Sequence, residues 1–206
     1  MSPIRLPLLH NQVCVLLMRL ILASASPRRK ELLEKAGFSF DVQLSDAEEL
    51  SGGLYFEKIA LFNAVAKAES VAVLNPDALV IGADTVIEYR GRILGKPSSL
   101  KDASGMLAML SGKSHRVVSG VCVRNIKNSI SCVFAECSTV HFGNFTSEVI
   151  DDYLTLVHVL DKAGAYAVQE YADMLVERIE GSVENVIGLP VERLAETLRH
   201  LLVKAL

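Results

Sequence analysis

One stretch constrains this chain more than any other: Leu79-Val80-Ile81-Gly82-Ala83-Asp84-Thr85-Val86-Ile87, an apolar run broken in its middle by a carboxylate and a hydroxyl. It is too short to cross a membrane, which takes about 20 apolar residues. The pattern predicts a strand that starts at Ala78 and runs to Tyr89, with Arg90-Gly91 as a hairpin turn into Ile93-Leu94. An ionised Asp inside such a strand is costly unless it is paired, hydrogen-bonded or bound to a metal. Gly82 and Ala83 leave room beside it for a close approach to the backbone. Asp84 is therefore a candidate centre of a site that wants a cation; the plainer alternative is an Asp capping local N–H groups at a bulge or edge.

Around this strand the pattern alternates between strands and helices. A first strand is expected over 19–24, then a helix from Pro27 to Ala36 with Ser26 as N-cap, Pro27 at its first position and Gly37 as a left-handed cap. A helix over 55–73 carries Ala60, Ala64 and Ala68 at helical spacing, and another lies near 100–111. Arg116 to Phe142 reads as a β-rich block, Thr146 or Ser147 opens a helix to about Val157, and Leu194, Leu198, Leu201 and Leu202 form one stripe of a final helix. Mixed strands and helices predict an α/β domain over 18–206, with residues 1–17 as an N-terminal extension and Met18 as an alternative start. His10, Asn11 and Gln12 interrupt the modest apolar stretch of that extension, which argues against a signal peptide.

Composition narrows the function. The chain has 206 residues, 50% hydrophobic, with a formal charge of −3; nothing global attracts nucleic acid or anionic lipid, so any phosphate binding must come from local cations. No apolar stretch is long enough for a membrane span, and the four cysteines show no metal or disulfide spacing, which makes a reducing cytoplasm the expected home. Cys122, Cys132 and Cys137 lie in strand-like runs and read as core thiols. Gly91–Lys96 and Ser111–Ser114 both approach a phosphate-binding P-loop, and both fail on spacing.

The candidate cations break ordinary placement rules. Arg28 and Arg29 sit in the first turn of a helix, where the dipole disfavours positive charge but where free N–H groups and two guanidiniums together suit an anion. Lys96 precedes Pro97, Lys162 lies in a turn of small residues, and Lys67 sits on an Ala-rich helix. Each alone reads as a solvated charge. Gathered around Asp84 they would form a polyphosphate site with a metal.

Taken in order, Ser24-Ala25-Ser26-Pro27-Arg28-Arg29, Gly82-Ala83-Asp84-Thr85-Val86, Gly95-Lys96-Pro97, Ser111-Gly112 with His115, Asp161-Lys162-Ala163-Gly164-Ala165-Tyr166 with Gln169, and Gly181-Ser182 followed by Asn185-Val186-Ile187-Gly188-Leu189-Pro190 resemble the signature series of the Maf family, from Arg19 to the C-terminus. The sequence departs from that series at His158-Val159-Leu160, at Val183, at Ser119 and at the bulkier Glu170-Tyr171-Ala172-Asp173. The resemblance implies a mixed, elongated sheet flanked by helices, two lobes around a deep cleft as in inosine-triphosphate pyrophosphatases, and a homodimer. It implies nucleoside triphosphate pyrophosphatase activity, closer to the subgroup acting on dTTP and UTP than to the one acting on 7-methyl-GTP; a nucleotide-sensing regulator of cell division is the alternative.

Carried over residue by residue, the resemblance makes Asp84 the catalytic carboxylate and Arg28, Thr85 and Gln169 the specificity positions, with Ser26, Arg29, Glu49, Lys67, Lys96 and Lys162 in the substrate and metal environment. The chemistry agrees. Hydrolysis of an α–β phosphoanhydride needs the phosphate charge neutralised and a water aligned on the α-phosphorus. Asp84 with Glu49 would hold Mg2+ or Mn2+, hard ions suited to carboxylates. Arg28, Arg29, Lys67, Lys96 and Lys162 would clamp the triphosphate, while Thr85 and Gln169 would hydrogen-bond a pyrimidine base.

Overall fold

The structure, a computed structural model, describes residues 4–5, 15–16, 18–53 and 55–203. The expected extension 1–17 lies outside the described residues apart from β1 (Ile4–Arg5) and β2 (Val15–Leu16), which pair antiparallel in a small sheet of their own. The remaining elements are β3 (Leu20–Leu22), α1 (Pro27–Lys35), β4 (Asp41–Val42), α2 (Phe56–Leu74), β5 (Leu79–Tyr89), β6 (Arg92–Leu94), α3 (Leu100–Leu110), β7 (Ser114–Asn125), β8 (Ile130–Phe142), α4 (Ser147–Leu156), β9 (Val176–Glu180), α5 (Val183–Ile187) and α6 (Val191–Val203).

Seven strands form one mixed sheet in the order β4-β3-β5-β7-β8-β9, with β6 added beside β5. The pairs β4–β3 and β3–β5 are parallel, and all other pairs are antiparallel. This is the mixed sheet flanked by helices that the sequence predicts.

β5 organises it. Along one face, Leu79, Ile81 and Ala83 enter a core built with Leu32 and Leu33 of α1 and Leu194 and Leu198 of α6, whereas Ile87 and Tyr89 enter a second core with Leu107 of α3 and Ile150 and Tyr153 of α4. This face of the strand thus spans two hydrophobic clusters, and Thr85 falls at the seam. The pairing shows the same break: on its outer side β5 meets β3 over 79–81 and β6 over 87–89, which leaves 82–86 without a partner strand there. The expected two-lobed arrangement around a cleft follows from this interrupted edge.

α2 covers the opposite face. Its Ala60, Ala64 and Ala68 lie against Gly82 of β5 and Gly120 of β7, and the approach is close enough that a Cβ on Gly82 would sit 2.2 Å from the Ala64 carbonyl oxygen and one on Gly120 2.3 Å from that of Ala60. Small residues on both sides bring the helix backbone onto the sheet. α2 packs chiefly on β5 and β7 and touches β8 much less. One expectation is corrected: Cys122 is buried, but Cys132 is only partly covered, at the margin of the core shared with α1 and α6, and Cys137 is exposed.

In the second core His115 donates or accepts a hydrogen bond at 2.7 Å between Nε2 and the Tyr166 hydroxyl, and it packs edge-on against Phe142 and Tyr166. Burial, with a smaller push from His141, lowers its pKa from 6.5 to about 4.

Two outcomes follow. Gly82→Ala forces α2 off the sheet and lowers unfolding free energy by about 3 kcal/mol, read by denaturant titration. His115 is neutral in the folded protein and takes up a proton on unfolding below its ordinary pKa, so its contribution is complete above pH 6.5 and is lost as pH falls toward 4, by roughly 3 kcal/mol. Chemical unfolding of wild type and His115→Phe across that window shows a steeper loss in the wild type.

Candidate active site

The seam in β5 opens into a cleft of about 850 Å³. On one side stands the segment from Ala23 to Arg29, which leads from β3 into α1; on another stand Lys96 and the stretch from Asp161 to Glu170; Asp84 and Thr85 lie between them. Every candidate residue named from the sequence, namely Ser26, Arg28, Arg29, Glu49, Lys67, Asp84, Thr85, Lys96, Lys162 and Gln169, lines this one cleft.

Asp84 points to the α2 side of the sheet and is 8% exposed. Its Oδ1 receives Lys67 Nζ at 2.8 Å and its Oδ2 receives Asn63 Nδ2 at 2.9 Å. Lys67, 8% exposed, also reaches Glu49 Oε1 at 2.7 Å, so one ammonium joins the two carboxylates expected at the centre. Asn63 is a residue the sequence reading missed. It lies four positions before Lys67 on an Ala-rich helix and therefore on the same face; that spacing was the one available signal, and its meaning depends on which face of the helix meets β5. The Asn63 side chain also bonds the backbone of Leu50 in both directions, which ties the Glu49 segment to the site.

On the other face Arg29 turns inward. Its Nε donates to the Gly188 carbonyl at 2.9 Å, Nη1 to Ser24 Oγ at 3.0 Å and Nη2 to Thr85 Oγ1 at 3.2 Å. Burial lowers its pKa, opposed by the charge of Asp84. The Thr85 hydroxyl is also 2.8 Å from Ser119 Oγ and 3.1 Å from the Gly188 carbonyl, so its hydrogen bonds are spent within the protein. Gly188 is held in place by Asn185, whose Nδ2 donates to the Val117 carbonyl and to Ser138 Oγ, and it ends α5 at φ 137°, a conformation that favours glycine. Ser26 caps α1 as expected, accepting from the Arg29 amide, with Pro27 in the first turn. Arg28 is half-buried, whereas Lys96 and Gln169 are exposed at the cleft.

Lys162 is 6% exposed. It donates to the His158 carbonyl, lies 3.0 Å from Asp161 Oδ1 and pairs with Glu170 Oε1 at 3.6 Å. Partial burial pushes the Asp161 carboxyl up, but the hydrogen bond and charge of Lys162, its own amide and Arg28 together hold it below the usual range. The turn after Lys162 has Gly164 at φ 69° and Ala165 at φ 62°, and the Gly164 amide donates to the Gly95 carbonyl, which joins this wall to the Lys96 segment.

Among the described residues no group of three or more His, Cys, Asp or Glu side chains is placed to hold a metal ion. Asp84 and Glu49 both pair with the Lys67 ammonium, which sets these two carboxylates about one point. Among the described residues, likewise, no helix is long and apolar enough to cross a membrane.

A family model described as Maf-like protein matches residues 19–201. Among curated relatives, a protein of Bacillus cereus strain Q1 named dTTP/UTP pyrophosphatase is 43% identical over 183 residues, covering 88% of this chain and 95% of its own length. A protein of the same name from Bacillus anthracis matches at the same identity and coverage. Among solved structures, the Staphylococcus aureus Ham1 protein aligns at 16% identity and a TM-score of 0.48, covering 88% of this chain and 98% of that one. With the family pattern matched over residues 19–201, the chain belongs to the Maf-like protein family.

Proposed function

We propose that this chain is a nucleoside triphosphate pyrophosphatase that hydrolyses dTTP and UTP to the monophosphate and pyrophosphate. The observation that carries the reading is Asp84, a carboxylate at the seam of the sheet, fixed by Lys67 and Asn63 inside a cleft that also receives Arg28, Lys96 and Lys162. The names of the relatives supply the substrate class.

The triphosphate enters with its phosphates toward the cations, which offset the charge that grows on the phosphoryl oxygens. Each Asp84 oxygen accepts one bond and retains a lone pair, so the carboxylate orients a water toward the α-phosphorus and takes its proton. Arg29 is committed to Gly188, Ser24 and Thr85, and it acts by fixing the α1 wall and by its charge. Ser26 holds the start of α1 in place. Gln169, exposed at the cleft, offers a donor and an acceptor to the edge of a pyrimidine; Thr85, its hydroxyl engaged, shapes the same region through Arg29 and Ser119.

Asp84 and Glu49 fit Mg2+ or Mn2+ in the mode where one or two carboxylates hold the ion and phosphate oxygens and water complete its shell. A divalent ion held there would polarise the phosphoryl oxygens. Lys67 bridges both carboxylates and sets its ammonium beside them, where it adds positive charge for the phosphate chain. The reading extends to a cytoplasmic homodimer.

Pyrophosphate release is expected from dTTP and UTP with Mg2+ or Mn2+, at higher kcat/KM than from 7-methyl-GTP; silence across the panel sinks the catalytic reading. Asp84→Asn is expected to lose about 10²- to 10⁴-fold in kcat, the range for a positioned base, while equilibrium binding of dUTP persists. Hydrolysis undiminished in that variant moves the proton transfer to another group.

A further inference from the structure

Two of the donors of Lys162 are spent within the protein, and a carboxylate stands over the third. Its ammonium carries three N–H groups, and three protein oxygens surround it: the His158 carbonyl, Asp161 Oδ1 at 3.0 Å and Glu170 Oε1 at 3.6 Å. Its side chain is 8% exposed, so the ammonium is fixed where it stands. A phosphate oxygen that takes the remaining N–H meets the Glu170 carboxylate there.

The three partners differ in how firmly they are held. The carbonyl belongs to the backbone. Asp161 is the adjacent residue, within hydrogen-bond distance, and Arg28 adds to the attraction that keeps its carboxylate charged. Glu170 lies at ion-pair range but beyond hydrogen-bond range, and its side chain is 46% exposed. Moving it into water costs little, because a half-exposed ion pair is weak. It also stands beside Gln169 in the lining of the cleft, so its negative charge faces any polyphosphate that enters.

We propose that Glu170 is an internal competitor for the triphosphate: its carboxylate occupies the remaining side of the Lys162 ammonium, and the nucleotide binds by displacing it. Glu170 is a positioning residue that acts through Lys162 and sets the affinity for the phosphate chain. The inference rests on the proposed function only for the identity of the natural ligand, since any polyphosphate drawn to Lys162 meets the same carboxylate.

The test is calorimetric titration of inorganic pyrophosphate, with and without Mg2+, into wild type, Glu170→Gln and Glu170→Lys. Removing the competitor is expected to lower Kd about two- to five-fold in Glu170→Gln, the factor that corresponds to an exposed ion pair, and at least as much in Glu170→Lys. Both gains are expected to shrink as salt is raised, because the competing charge is exposed. The KM for dTTP is expected to fall by a similar factor. A merely structural role predicts looser binding, since damage to a cleft does not tighten it. Unchanged or raised Kd in both variants overturns the proposal. Tighter pyrophosphate binding without hydrolysis of any triphosphate keeps Glu170 as competitor and removes the pyrophosphatase reading instead.

Discussion

The close approach of α2 to the middle of the sheet is the constraint on which the rest depends. A carboxylate buried in a strand is tolerated only with partners at hydrogen-bond distance, and the partners of Asp84 come from a helix. Lys67 and Asn63 reach it because Gly82 and Gly120 have no side chains where the helix backbone lies and because Ala60, Ala64 and Ala68 are small. A bulkier residue at any of these places lifts the helix and leaves the acid stranded. The small residues in this part of the chain are thus a condition for the site as much as for packing.

The second constraint is that β5, on the face away from α2, serves two cores. Leu79, Ile81 and Ala83 belong to one and Ile87 and Tyr89 to the other, and on the outer edge β3 and β6 both stop short of the middle. The polar pair Asp84-Thr85 sits where apolar burial is interrupted. Because side chains alternate across a strand, the two neighbours address opposite faces: Asp84 meets Lys67 and Asn63 on the α2 side, and Thr85 meets Arg29, Ser119 and the Gly188 carbonyl on the other. An open edge lets one cleft draw on both. Its cations are held in a graded way, from Arg29 saturated by neutral oxygens, through Lys67 and Lys162 shared between carboxylates, to Arg28 and Lys96 nearer solvent.

Much of this was legible because it is local. The apolar run over 79–89, the hairpin at Arg90-Gly91 and the helix start at Ser26-Pro27 appear where spacing and capping place them. Asp84 stood out since a lone charge in an apolar strand has few explanations. What the sequence hid is non-local. β9 is a short, mostly exposed edge strand with no apolar alternation, and α5 is a single turn held by Asn185. Asn63 looked like any polar residue on a helix until the register of α2 over β5 was known. The inward turn of Arg29 depends on chain segments far apart in sequence, and the approach of Glu170 to Lys162 on the irregular turn between them, for neither of which periodicity or propensity carries information.

The most direct measurement is a crystal structure of the protein with a non-hydrolysable α,β-imido analogue of dUTP. The account predicts the α-phosphorus beside Asp84 at the open edge of β5, the outer phosphates among Arg28, Lys96 and Lys162, and Glu170 turned away into solvent. A triphosphate seated outside the cleft, or one whose α-phosphate lies remote from an Asp84 still closed over by Lys67 and Asn63, would contradict it.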